Sequence, residues 1–274
     1  MMKSQLMKYR SLLLVTCFAM LAFQPAIAQN MEEDNHSNII KLNLTSLPLK
    51  NISLQYERIL SKKFAAALSF RTMPKSTLPF KNAFANSIGD GDADIEAAIR
   101  MLKVSNIAIT PEFRWYVGKK GYGRGFYIAP FYRYSHYQVS DIVVNYETTL
   151  SGPGSVSLSG DLNTHTGGLL FGAQWLLGKR IMLDWWILGP HYGAGNGSFS
   201  GVSSRPLNAL EQNEVRNELE NYDIPLTNKK VTVNSSGAVV DLSGPWGGVR
   251  AGISVGMDSA TALMEGPLGN VREW

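Results

Sequence analysis

The chain has 274 residues, of which 45% are hydrophobic, 10% aromatic and only 18% charged, with 26 glycines and one cysteine. This composition excludes a disordered chain, a collagen and a coiled coil, and a single cysteine excludes a disulfide framework or a Cys-rich zinc module. Mean hydropathy of −0.07 is too low for a polytopic helical membrane protein, and a formal charge of +4 would point toward nucleic acid only if it belonged to the folded part.

Residues 1–28 read as a cleaved signal peptide. Lys3, Lys8 and Arg10 precede an apolar stretch from Ser11 to Phe23, Pro25 breaks it, and Ala26-Ile27-Ala28 supplies a small-x-small site that leaves Gln29 first. An uncleaved anchor is the first rival, but the run is short of the roughly 20 residues a span requires. A lipoprotein acylated at Cys17 is the second, and Thr16 is a poor neighbour for that processing. Removing the signal lowers Lys+Arg from 26 to 23 and leaves Asp+Glu at 22, a net charge of +1. The nucleic-acid hint goes with it, and so does the only cysteine. Residues 29–37 then form a short periplasmic N-terminus.

Beyond residue 37 the chain alternates with period two, the mark of strands with two different faces. Eight strands are predicted, at 38–45, 51–59, 64–71, 107–117, 125–137, 166–177, 181–192 and 247–257. The fourth is the clearest. Ile107, Ile109, Pro111, Phe113, Trp115 and Val117 take one face, and Ala108, Thr110, Glu112, Arg114 and Tyr116 the other. In nearly every strand the second face carries charge or small residues, such as Ser53, Gln55 and Glu57, or Gly168, Gly172 and Gln174, or Met182, Asp184 and Trp186.

Alternation alone does not say which face meets solvent. A soluble sandwich buries the apolar face, whereas a membrane barrel turns it to lipid. Connection lengths favour the barrel. The links 60–63, 118–124 and 178–180 are short, whereas those after the third, fifth and seventh strands take about thirty, thirty and fifty residues; the link Ser46–Lys50 is also short and is the exception to the alternation. Tight periplasmic turns alternating with long outer loops are an outer-membrane pattern. Trp115, Tyr116, Trp175 and Trp185 beside the short turns suit a membrane–water interface, although aromatics also suit any core strand.

Four blocks carry a resemblance: Lys41-Leu42-Asn43-Leu44, Asn51-Ile52-Ser53-Leu54-Gln55-Tyr56-Glu57-Arg58, Leu183-Asp184-Trp185-Trp186-Ile187-Leu188-Gly189-Pro190 and Gly244-Pro245-Trp246-Gly247-Gly248-Val249-Arg250-Ala251-Gly252. The chain resembles the domain-of-unknown-function family 3575 (DUF3575) of Gram-negative bacteria, regarded as outer-membrane-type β-barrels, over nearly all of the mature chain to about Met257. The resemblance implies a location and a fold, and no activity or catalytic residues. Barrels of that kind end near a C-terminal aromatic strand. Here a tail, 258–274, follows with Gly266-Pro267 and no alternation.

The polar face carries Lys41, Glu57, Arg71, Glu112, Arg114, Arg133, Asp184 and Arg250. An eight-stranded barrel is only wide enough for side chains to fill it, so these charges are expected to pair as a lumen network. The arginine excess makes an anion-binding or anion-conducting passage the sharper alternative. Asp90, Asp92, Asp94 and Glu96 resemble the start of a calcium loop, but Ile95 and Met101 hold the positions where an EF-hand needs Gly and Glu; a helix start over 95–102 accounts for them. A second helix is predicted over 207–222, with a narrow apolar stripe of Leu207, Leu210, Val215, Leu219 and Tyr222 that reads as a lid on the barrel rather than a partner surface. Ser135, His136, Ser140 and Asp141 are the best nucleophile, base and acid set, yet one His beside a Ser is common and no motif supports it. His36, His165 and His191 show no metal spacing, and Gly193, Gly195 and Gly197 open no helix.

The expectation is therefore an all-β, eight-stranded antiparallel up-and-down transmembrane β-barrel over 38–257, with long extracellular loops containing short helices. Its expected role is non-enzymatic: structural, surface-interacting or adhesive. Outer-membrane lipid is its expected partner, with a cell-surface protein on the long loops; no cofactor, metal or nucleic acid is expected. A narrow pore, a lipid A-modifying barrel enzyme and a soluble lipocalin-like periplasmic binder are the alternatives.

Overall fold

The computed structural model describes residues 38–258 apart from 89–92, 149–151, 179 and 222–226. The expected signal segment 1–28, the stretch 29–37, Asp90, Asp92 and the tail from 259 onward lie outside the described residues. The described chain is built almost wholly of nine strands: β1 (Asn38–Asn43), β2 (Ile52–Ile59), β3 (Phe64–Thr77), β4 (Lys103–Tyr116), β5 (Gly125–Thr148), β6 (Gly152–Leu177), β7 (Ile181–Ser203), β8 (Asn228–Asn234) and β9 (Gly237–Asp258). Every pairing is antiparallel. The order is β1-β2-β3-β4-β5-β6-β7-β9-β8, and β9 also pairs with β1, so the sheet returns on itself in a ring.

Two expectations are corrected. There are nine strands instead of eight. The extra one, β8, pairs only with β9 and hangs outside the closed circuit. The long loops also shrink. β5, β6 and β7 run for 24, 26 and 23 residues, far past their predicted ends, and β9 begins at Gly237 instead of Gly247. The stretch read as a thirty-residue loop after the fifth strand is mostly the paired extensions of β5 and β6, in register from Thr148↔Gly152 downward. Ser, Gly and Asn make up half of the β6 extension, Gly152–His165, and such residues read as loop because they are poor strand formers on their own; the β5 extension is rich in Val and Ile, but its alternation is broken at the bulge between Val139 and Ile142. Cross-strand pairing supplies what propensity does not.

The short connections at 60–63, 117–124 and 178–180 define one end of the ring, the turn end. Gly121, in the 117–124 turn, has φ +65, and an added Cβ would fall 2.7 Å from the Lys62 carbonyl oxygen. Only glycine fits there. Helices α1 (Lys81–Ile88), α2 (Ala93–Met101) and α3 (Ala209–Asn221) belong to the other end; α2 is the helix expected over 95–102, begun two residues earlier, and α1 is additional to the expectation. The β4–β5 ladder skips Pro111 and Pro130. Proline has no N–H to donate, so one seam of the ring is weaker there.

The two halves of the ring have opposite sidedness. In the turn-end half, outward residues are apolar and exposed: Phe64, Leu68 and Phe70 on β3, Ile107, Ile109, Phe113 and Trp115 on β4, Leu169 and Trp175 on β6, Trp185 and Ile187 on β7, Ile253 and Met257 on β9. Inward residues there are buried, and charged and polar side chains such as Lys41, Glu57, Glu112, Arg114 and Asp184 lie among apolar and aromatic ones. In the helix-end half, outward residues turn polar: Asp161, Asn163 and His165 on β6, Asn196, Ser198 and Ser200 on β7, Asp241 and Ser243 on β9. Inward residues turn apolar. Val144, Tyr146, Val156, Leu158, Phe199, Val233, Ala238 and Val240 form a core with Leu207, Val215 and Leu219.

A bulge between Val139 and Ile142 makes the inversion possible on β5. Asp141 takes the left-handed conformation there (φ 66), which Asp tolerates, and the added residue keeps Ile142, Val144 and Tyr146 on the inner side. Helix α3 contacts β5, β8 and β9 through Val215 and Leu219, while Leu210 of the predicted stripe faces solvent. Its start is a capping box. Asn208 Oδ1 accepts from the Leu210 and Glu211 N–H groups, and Glu211 Oε2 accepts from the Asn208 N–H. Arg205 pairs with the other Glu211 oxygen at 2.8 Å. No described helix is long and apolar enough to cross a membrane, a statement that concerns helices alone.

Candidate functional site

The ring interior is the most densely charged region described. It is built by inward parity: residues 41 and 43 on β1, 53 to 57 on β2, 110 to 116 on β4, 127 to 135 on β5, and 182 to 186 on β7 each place alternate side chains inside. Ile39, Ile59, Ala65 and Met182 form an apolar floor at the turn end, packed with Tyr116 and Tyr127.

Above that floor sits a connected network with no solvent exposure at its centre. Lys41 bonds to Glu57 and Gln174, and its ammonium lies 2.8 Å from Asp184. Arg114 Nη1 donates to Asp184 at 2.8 Å and to Glu57 at 3.1 Å, while its Nη2 donates to Gln55 at 2.8 Å and Glu112 at 3.1 Å. The guanidinium also lies 4.4 Å above the Tyr127 ring. Tyr116 donates to Glu57 at 2.6 Å, Tyr127 to Asp184 at 2.8 Å, and the Trp186 indole to Asp184 at 3.1 Å. Each buried carboxylate is thus met by cations and by neutral donors. That is what burial of a charge requires.

One level further from the turn end, Arg250 Nη2 donates to Glu112 at 2.7 Å, and its guanidinium is sandwiched between Phe131 and Trp186 at 4.5 and 4.7 Å. Beyond it, Arg71 donates to Asn51 at 2.8 Å and Arg133 to Ser135 at 3.2 Å. The structure therefore brings Lys41, Glu57, Glu112, Arg114, Asp184 and Arg250 into one network. It places Arg71 and Arg133 on the same inner face but on neutral partners.

Gln55, Gln174, Tyr116, Tyr127 and Trp186 belong to this network and were not foreseen as members. All five share the inward parity of the charged residues, so the signal existed. Being neutral, they carry no charge pattern to single them out. Gly172 has a related role. A Cβ there would fall 2.3 Å from the Tyr127 ring, so the glycine leaves the space in which Tyr127 reaches Asp184.

The other candidates do not assemble. Ser135 is inside and buried, whereas His136 is outside, with its ring nitrogens 2.9 Å from Asn163 and 3.6 Å from Asp161. Adjacent strand residues point to opposite faces, so no Ser–His pair forms. Ser140 bonds to Asp141, which pairs with Lys103 at 3.0 Å. Gly193, Gly195 and Gly197 lie within β7, paired to Thr166, Thr164 and Leu162. Among the described residues, no group of three or more His, Cys, Asp or Glu is placed to hold a metal ion. An open groove of about 420 Å³ lined by Asp161, Asn163, Asn196, Ser198 and Asp241 lies on the outer face, away from the network.

What this arrangement does chemically is close the ring. The ion pairs join β1, β2, β4, β7 and β9 across the interior, and within them the Gln174 Nε2 and Arg250 Nη1 groups have no hydrogen-bond partner. Sequence comparison supplies the family: residues 13–196 match the family described as a protein of unknown function, DUF3575. The chain belongs to the DUF3575 family. The matched stretch holds the network residues from Lys41 to Asp184; Arg250 and the Gly244–Gly252 block fall beyond it, so the match ends short of the Met257 limit expected from the resemblance. No curated protein and no solved structure matches this DUF3575 chain.

Proposed function

We propose that this DUF3575 protein is an outer-membrane β-barrel with a structural, surface-interacting or adhesive role and no catalytic activity. The observation that carries the reading is the reversal of sidedness along the ring. A chain surrounded by water on all sides has no reason to expose Phe113, Ile109 and Leu68 in one half while burying Phe199, Val156 and Val240 in the other. Hydrocarbon around the turn-end half and water around the helix-end half accounts for both. On β4 the outward apolar run from Ile107 to Trp115 is close to the roughly 9–11 residues a tilted strand needs to cross a bilayer. Trp115, Trp175 and Trp185 border it toward the turn end and Tyr132 and Tyr192 toward the other, where amphipathic rings favour an interface.

In this reading the buried network plugs the lumen and the helix-end domain, with α3 on its inner face, projects from the outer surface. The test combines two measurements on the full chain. Membrane fractionation should recover it with the outer membrane, and gel mobility should shift on heating. A protein recovered in the soluble fraction with no heat-dependent mobility would sink the reading. Planar-bilayer recordings should show no reproducible conductance steps.

A further inference from the structure

The interior charges do not balance. Lys41, Arg71, Arg114, Arg133 and Arg250 face Glu57, Glu112 and Asp184, an excess of two positive charges inside the ring. The carboxylates are concentrated at the turn-end level, where they are saturated. The excess collects one level further, where the Arg71, Arg133 and Arg250 charges repel one another and His191 lies within their field. Glu112, bonded to Arg250, is the one carboxylate ion-paired to this group among the described residues, and like charges buried in excess of their counter-charges are costly. Two buried atoms at this level also lack any hydrogen-bond partner. They are Nη1 of Arg250, whose side chain is more than nine-tenths buried, and Nδ1 of His191. Phe131 and Trp186 clamp the Arg250 plane, so Nη1 cannot swing away to find water without losing both stacks. Small residues such as Ala108, Ser135 and Thr166 line the neighbouring strands on the same inner face.

We propose that this level of the ring is a binding site for a small dianionic oxyanion of the phosphate or sulfate class, held by Arg71, Arg133 and Arg250. Two negative charges cancel the interior excess, and an oxyanion offers an acceptor to the unpartnered Arg250 Nη1 and charged acceptors to Arg71 and Arg133, whose side-chain partners Asn51 and Ser135 are neutral. The ion comes from solution and not from a lipid, because the site faces inward, behind the continuous β5-β6-β7-β9 wall. The inference concerns the interior alone and does not depend on what surrounds the ring.

The test uses the full chain purified in detergent and exchanged into phosphate- and sulfate-free buffer. Titration calorimetry with inorganic phosphate should give saturable binding with one ion per chain. Arg71→Gln and Arg133→Gln should each weaken it by about tenfold or more, the worth of a charge-assisted hydrogen bond. Arg133→Lys, which keeps the charge, should weaken it less than Arg133→Gln. Arg71 is half-buried, so Arg71→Gln carries the test if Arg133→Gln does not fold. Absence of saturable binding, wild-type affinity in the Arg71→Gln protein, or an equal effect from sodium chloride at matched ionic strength would overturn the proposal. Native mass spectrometry of the freshly purified protein distinguishes the source: a phosphate-sized adduct supports the free ion, and a lipid-sized adduct lost in Arg71→Gln overturns it. Membrane fractionation of the same variants reports separately on the barrel reading.

Discussion

Arg114 on β4 and Asp184 on β7 meet at 2.8 Å in the middle of the ring, with β5 and β6 between them along the sheet and 70 positions between them in the chain. Arg114 also reaches Glu57 on β2 and Glu112 on its own strand, so one guanidinium ties three strands together. Backbone pairing joins each strand only to its neighbours. The Arg114 contacts run across the interior and set its cross-section.

Arg114→Met should therefore be strongly destabilising. It leaves Lys41 as the one cation on Asp184 and Arg250 as the one cation on Glu112, with both carboxylates buried. Removing one partner from a buried ion pair costs about 3–5 kcal/mol. Guanidinium unfolding followed by tryptophan emission should show a loss of this size; a change below about 1 kcal/mol would mean that solvent reaches the network.

The outer surface separates lipid from water as surroundings. Ile109→Arg places a charge in the middle of the apolar belt, and an arginine at the midplane of a bilayer costs about 2–4 kcal/mol. Ser200→Arg, on the same outward face of the helix-end half, should be nearly neutral. Folding yield into liposomes and unfolding from them should report the difference. If Ile109→Arg folds as well as Ser200→Arg, the belt does not face hydrocarbon.

The helix-end half has its own core, so it should fail separately. Asn208→Ala removes the cap of α3 and should cost about 1 kcal/mol locally. Val215→Asp buries a charge against Val144, Val156 and Val240 and should undock the helix. Limited proteolysis should then cut between residues 204 and 227 while heat-dependent mobility of the ring persists. Loss of both together would show that the two halves fold as one unit.

Asp141 gives a pH signature outside the apolar belt. The Lys103 ammonium bonded to it holds its carboxyl below the usual carboxylate range. A carboxyl depressed in the folded state stabilises above its unfolded value, and that contribution is lost as pH falls through the folded value. Carbon NMR of the labelled carboxyl should give a midpoint below that of a short peptide, and Lys103→Ala should move it up. Both groups are largely exposed, so added salt should shrink the shift.

The fold was legible where one strand face differs sharply from the other. Phe113 against Arg114 and Trp185 against Asp184 reveal strands from local pattern alone, and with them the inward set Lys41, Glu57, Glu112, Arg114, Asp184 and Arg250. The extension of β6 was not legible, because Ser157, Gly160 and Asn163 have no propensity that announces a strand, and that of β5 was hidden by the bulge between Val139 and Ile142, which breaks its alternation. The strand Asn228–Asn234 is short, with Val231, Thr232 and Val233 as its strand-forming residues, and its one partner is β9.

What the sequence determined by itself was period, parity and the identity of the inward charges, because alternation is a property of neighbours in the chain. Tertiary structure alone decided which charges pair and which remain unmatched. Arg71 and Arg133 have the same parity as Arg114, yet only Arg114 finds carboxylates, because the height of a side chain inside the ring depends on register between strands. The wall turns inside out where the apolar positions change parity, from Val156 and Leu158 inward to Leu169 and Trp175 outward on β6, and pairing between neighbouring strands decided that these changes fall at one level of the ring.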